Sequence, residues 1–150
     1  MSKTFPLQIL LDLAKGQSDA AVRKLGELNR QDRDIGSKLD LLLQYRKEYQ
    51  QRFEESVQRG MNQIEWQNYR LFFCKLDEAI VQQQKLQLEF GQKVRAGQLE
   101  YQQRQKKLKS FETLAERHVT KESAKTARRE QKDQDDFSIK AFMRKMNEED

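Results

Sequence analysis

Apolar side chains return at alternating intervals of three and four residues along almost the whole chain, and this constrains the fold more than any other feature. The first series runs through Leu7, Leu11, Ala14, Ala21, Leu25, Leu28, Ile35, Leu39, Leu42, Tyr49 and Phe53. That period draws one stripe along an α-helix, the pattern of a coiled-coil seam. The stripe breaks at Gly60, Met61 and Asn62, then resumes through Tyr69, Phe73, Leu76, Ile80, Phe90, Val94, Tyr101, Leu108, Phe111 and Ala115. Two apolar stripes separated by a short break predict two long helices that fold back and bury their seams against each other. The expected fold is all-α, a long antiparallel two-helix coiled coil or helical hairpin, with a charged, partly disordered C-terminal tail.

Composition enters here as a limit on the core. Charged residues make up 35% of the chain and hydrophobic residues 36%, and there are six Gly and one Pro. This suits solvated helices and leaves little for a globular interior. No run approaches the roughly 18 apolar residues of a membrane span, and Asp12 interrupts the apolar segment from Leu7 to Ala14, so no signal peptide is read there. A single cysteine, Cys74, cannot form an intrachain disulfide and fits a reducing, cytoplasmic setting.

Helix ends follow from local chemistry. Pro6 is compatible with a first helical turn, where its missing N–H has no partner to lose. Gly60 can take the left-handed conformation that ends a helix, and Asn62 with Glu65 forms a capping-box spacing for the next. The hairpin is therefore drawn over residues 1–118 with its turn near 59–63, and residues 119–150 as a charged helical extension and flexible tail.

Antiparallel register is set by the turn. With the turn centred at Met61, facing residues have numbers that sum to 122, pairing Phe53 with Tyr69, Tyr49 with Phe73, Leu42 with Ile80, Leu28 with Val94, Leu11 with Phe111 and Leu7 with Ala115. Asp32, Arg46, Gln83, Gln87 and Arg104 fall on the seam as polar interruptions, and Gly97 faces Leu25. Polar seam residues lower stability while fixing register, so a weak middle is expected where Ile35 to Leu39 oppose Gln83 and Gln87.

Two regions depart from an even rod. Seven of the thirteen aromatics (Tyr45, Tyr49, Phe53, Trp66, Tyr69, Phe72 and Phe73) lie within 29 residues around the turn. Together with Leu41, Leu42 and Leu43 they make an apolar arc wider than one seam needs, which suits a partner-docking surface. Between Gln103 and Lys132, ten Lys or Arg stand against four Glu, an excess of +6 where the whole chain carries +5. That segment holds one aromatic, Phe111, on the seam, so the interleaving expected for single-stranded nucleic acid is absent and an acidic protein surface is the better match. No phosphate loop, nucleophile elbow or metal-ligand spacing occurs. The one histidine, His118, continues the seam, so neither an enzyme nor a cofactor is expected.

The run Leu39-Asp-Leu-Leu-Leu-Gln-Tyr45-Arg-Lys-Glu-Tyr49, with Trp66-Gln-Asn68-Tyr69-Arg-Leu-Phe72 and Leu76-Asp-Glu-Ala79-Ile80, resembles the FliJ proteins of the bacterial flagellar type III export apparatus. The resemblance covers about residues 5 to 120. It implies a stalk-like coiled coil that enters the export ATPase hexamer, promotes its assembly and hydrolysis, and engages the cytoplasmic domain of the large export-gate membrane protein. Some members also escort export chaperones. The implied location is cytoplasmic, peripheral to the inner membrane at the flagellar base, without membrane insertion. The family's gate-binding face maps to Leu42, Tyr45, Tyr49, Phe72, Leu76 and Ala79, while Lys38 and Gln83 depart from its pattern. The ring contact is assigned to Leu10, Leu13, Arg104, Lys107 and Arg117, at the end carrying both termini. Two helices of about 54 residues at about 1.5 Å each would extend roughly 80 Å. A general coiled-coil chaperone or adaptor is the alternative reading, followed by a nucleic-acid-binding rod.

Overall fold

A computed structural model describes residues 4–149. The first three residues and Asp150, which belong to the segments drawn from sequence, lie outside the described residues. There are two helices, α1 (Gln8–Arg59) and α2 (Gln63–Glu148), and no strand among the described residues. Both form because almost nothing in them opposes helix: the only proline, Pro6, sits in the turn that leads into α1. There Gln8 N–H donates to the Phe5 carbonyl at 3.1 Å.

Three residues separate the helices. Gly60 has φ 94°, a conformation an L side chain rarely adopts. Asn62 then caps α2, its Oδ1 accepting the Glu65 N–H at 2.8 Å while its carbonyl accepts the Trp66 N–H at 3.1 Å. The predicted turn is thus present at both of its determining residues.

Two compact units are built from these helices. The unit of residues 19–103 holds the principal apolar cluster, in which Leu39, Leu76 and Ile80 are buried and Leu42 packs against them. Ala21 and Ile35 are also buried in it. The helices run in opposite directions with the expected register: the Phe53 and Tyr69 rings are 5.5 Å apart and those of Tyr49 and Phe73 5.3 Å. Gly97 is buried, and a Cβ built on it would lie 3.2 Å from Leu28 Cδ1 and 3.5 Å from Leu25 Cδ1. The glycine expected to face Leu25 thus makes room for two leucines of α1.

In the unit of residues 4–18 and 104–149, Ala14 and Ser18 are buried, Leu11, Phe111 and Ala115 half-buried, and the Phe5 ring lies 5.6 Å from the His118 imidazole. Beyond His118 the seam pattern fades, yet α2 remains helical to Glu148, with every residue from Ser123 to Glu149 exposed.

The polar seam residues find specific partners. Gln83 Nε2 donates to the Ile35 carbonyl at 3.0 Å, and both helices run unbroken through this region. Arg46 Nε donates to Asp77 Oδ1 at 2.6 Å, and its guanidinium lies 5.7 Å from the Phe73 ring centre. Arg104 donates to Gln17 Oε1 at 3.1 Å. Each is an interhelical polar contact that a heptad slip would break.

Candidate partner-binding surfaces

The first surface lies beside the interhelical turn. On α1, Leu42, Tyr45 and Tyr49 follow one another at three and four residues; on α2, Phe72, Leu76 and Ala79 do so at four and three, so each trio occupies one helical face. Tyr49 is the organising residue. Its ring is 4.1 Å from Phe72, 5.0 Å from Tyr69 and 5.3 Å from Phe73, and Phe53 stands edge-on to both Tyr69 and Phe73. Such tilted and edge contacts favour the rings' quadrupoles and hold them rigidly. Ser56 and Tyr69 hydroxyls share a 3.1 Å hydrogen bond that anchors the cluster's far side.

The cluster does not bury all that it gathers. Tyr45 is 52% exposed and Phe72 42%. With Tyr49, Glu48 and Arg52 they line a shallow groove of apolar rings edged by one acid and one base. Leu76 is buried at 7% and Leu42 packs beside it. These two therefore support the surface from beneath, and the side chains open to a partner are Tyr45, Phe72, the edge of Tyr49 and half-buried Ala79.

A second groove gathers Phe53, Trp66 and Phe73, three of the aromatics expected around the turn, with a polar lining that sequence reading does not foresee: Arg46, Gln50, Arg70, Cys74 and Asp77. Its polar edge is the Arg46–Asp77 pair, and the hydrogen bond that Arg46 donates to the Asp77 carboxylate raises the Arg46 pKa above its ordinary value. The Arg70 guanidinium lies 5.5 Å from the Trp66 ring centre, and Trp66 remains exposed. The signal was present as a seam arginine, but its partner is 31 residues away and visible only once the register is known.

The residues assigned to a ring contact all fall in the unit containing both chain ends. Leu10 is 42% exposed and Leu13 56%, and Lys107 and Arg117 are also exposed. Arg104 differs: it is half-buried and committed to Gln17. Beside Phe5 and Gln8 the structure adds a groove along α2, lined by Ala115, His118, Val119, Glu122, Ser123, Thr126, Ala127 and Glu130. The small residues that make it were readable in the sequence, but their meaning depends on where α1 begins.

No group of three or more His, Cys, Asp or Glu side chains converges as metal ligands among the described residues. No helix among them is long and apolar enough to cross a membrane. Cys74 is exposed and unbridged.

Comparison with known proteins supplies the identity of this arrangement. Residues 2–147 match the sequence pattern of the family described as "Flagellar FliJ protein". The protein of that name from Salmonella typhi is 32% identical over 146 residues, covering 97% of this chain and 99% of that one. Its counterpart from Escherichia coli (strain K12) is 30% identical over 145 residues, with the same coverage of each. That of Bacillus subtilis (strain 168) is 25% identical over 143 residues, covering 95% of this chain and 97% of that protein. A family pattern matching residues 2–147, with relatives alike over nearly their whole length, shows that the chain belongs to the FliJ family of flagellar proteins.

Proposed function

We propose that this protein serves the flagellar export apparatus as a non-enzymatic coupler between the export ATPase ring and the cytoplasmic domain of the export gate. The observation that carries the reading is the aromatic groove of Tyr45, Tyr49 and Phe72, in which large rings are held by mutual packing yet left open to water. Rigid, exposed aromatic anchors are what a protein interface uses, because they contribute contact area at low entropic cost. In this reading Tyr45, Tyr49, Phe72 and Ala79 touch the gate, while Leu42 and Leu76 hold them in place.

The ring contact is assigned to Leu10, Leu13, Lys107 and Arg117, apolar and basic side chains exposed in one unit. Arg104 belongs with them as a support, through Gln17. A binder of this kind accelerates hydrolysis by favouring the ring's active, assembled state, to the extent that it binds that state more tightly. Its site of action is then the cytoplasmic face of the inner membrane at the flagellar base. Escort of export chaperones is a second reading, favoured by the separate Trp66 and Phe73 groove, which the gate face does not use.

The test is titration of the full chain into the export ATPase of its own organism, following hydrolysis and hexamer population together. Both should rise, saturating near one chain per ring. Tyr45→Ala with Tyr49→Ala should abolish gate binding while leaving ring activation intact, and Lys107→Ala with Arg117→Ala should do the reverse. Unchanged hydrolysis and assembly with a helical, folded protein would shift the function to the adaptor reading.

A further inference from the structure

The side of α2 turned away from α1 carries a second apolar stripe. Ile64, Leu71, Val81 and Leu88 are 72%, 62%, 48% and 68% exposed. At about 100° per residue they and the exposed Cys74 fall on a common arc of about 120°, roughly opposite buried Leu76 and Ile80. The stripe follows its own alternation of three and four residues through Leu71, Cys74, Glu78, Val81, Lys85 and Leu88. That is the spacing of a coiled-coil seam, and nothing within the unit of residues 19–103 covers it. It shares no residue with the gate face or the ring contact.

We infer that this stripe pairs antiparallel with the same stripe of a second copy of the chain. The charges on it select both the occupant and the direction. A parallel in-register pair would set Glu78 against Glu78 and Lys85 against Lys85, stacking like charges on the seam. The antiparallel pairing that sets Leu71 against Leu88 of the second copy also sets Val81 against Glu78 and Cys74 against Lys85. Glu78 and the other copy's Lys85 then lie one turn apart, within reach of their side chains, and the two-fold repeats each contact. A shift by one heptad in one sense moves Glu78 and the other copy's Lys85 about 16 Å apart along the axis, and in the other sense sets Leu88 against Glu78 in place of Leu71. Pairing over residues 64–95 would bury on the order of 1,500 Å², the size of a specific interface.

Sedimentation equilibrium of the full chain should show a reversible species of twice the 17.9 kDa monomer. Leu71→Asp with Leu88→Asp should weaken association at least about thirtyfold, by setting aspartate against aspartate across the pair, without loss of helicity. Direction is read by mild oxidation of Lys85→Cys, which should give a covalent dimer through Cys74 of the other copy. Adding Cys74→Ala should abolish it, because the two introduced thiols would stand about 16 Å apart along the axis. A monomer at all concentrations would overturn the inference, as would association unaffected by the double aspartate variant. Wild-type protein that oxidises to a dimer through Cys74 as readily as Lys85→Cys would overturn the antiparallel pairing. If the wild type is monomeric but the aspartates abolish binding to another export protein, the stripe belongs to that partner.

Discussion

Asn62 shows how much one side chain decides at the turn. Its Oδ1 accepts the Glu65 N–H that would otherwise have no intrahelical partner, immediately after Gly60 has reversed the chain. Asn62→Ala should lower stability by about 1 kcal/mol in denaturant unfolding, and Asn62→Ser should recover most of it, since Ser can accept the same hydrogen bond. Both residues were legible in the sequence because a cap and a left-handed glycine act on their immediate neighbours. Arg46 was read as an interruption for the opposite reason: its carboxylate partner Asp77 and the Phe73 ring under its guanidinium come from the other helix. The candidate gate residues were found through resemblance, but only burial separates Tyr45 and Phe72, which face water, from Leu76, which does not.

At the scale of the helix, glycines with the same intrinsic cost have different consequences. Gly26 has no atom within 4 Å of a Cβ built upon it, whereas Gly97 has a leucine methyl at 3.2 Å. Gly26→Ala should therefore raise stability by about 1 kcal/mol, the full gain in helix propensity. Gly97→Ala should give no comparable gain, because Leu28 must move to admit the methyl; the difference between the two denaturation midpoints measures that displacement. Periodicity predicted both helices, their reversal and their pairing, since a heptad stripe encodes its face directly. It could not foresee that Gln83, an apparent weak point, donates its amide to the Ile35 carbonyl across the seam. Nor could it set the end of α2, which continues as helix to Glu148 after its apolar stripe has faded.

For the molecule as a whole, helix and tertiary support part company after Glu122. From Ser123 to Glu149 every residue is exposed, so helical structure there rests on local propensity and side-chain pairs, which are weak in water. Amide hydrogen exchange should be slow around Leu39, Leu76 and Ile80 and faster by orders of magnitude beyond Ser123. Removing residues 123–150 should leave the urea midpoint of the remainder unchanged; a lower midpoint would mean that the segment supports the rest of the chain. Even in the buried set the enclosure is thin, with Leu39 at 8% and Leu76 and Ile80 at 7%, and no large side chain fully enclosed among the described residues. Unfolding such a protein hydrates comparatively little new apolar surface. Its heat-capacity increment should then fall below the usual figure of about 12–15 cal/mol/K per residue, giving a shallow stability curve that changes little over a wide span of temperature.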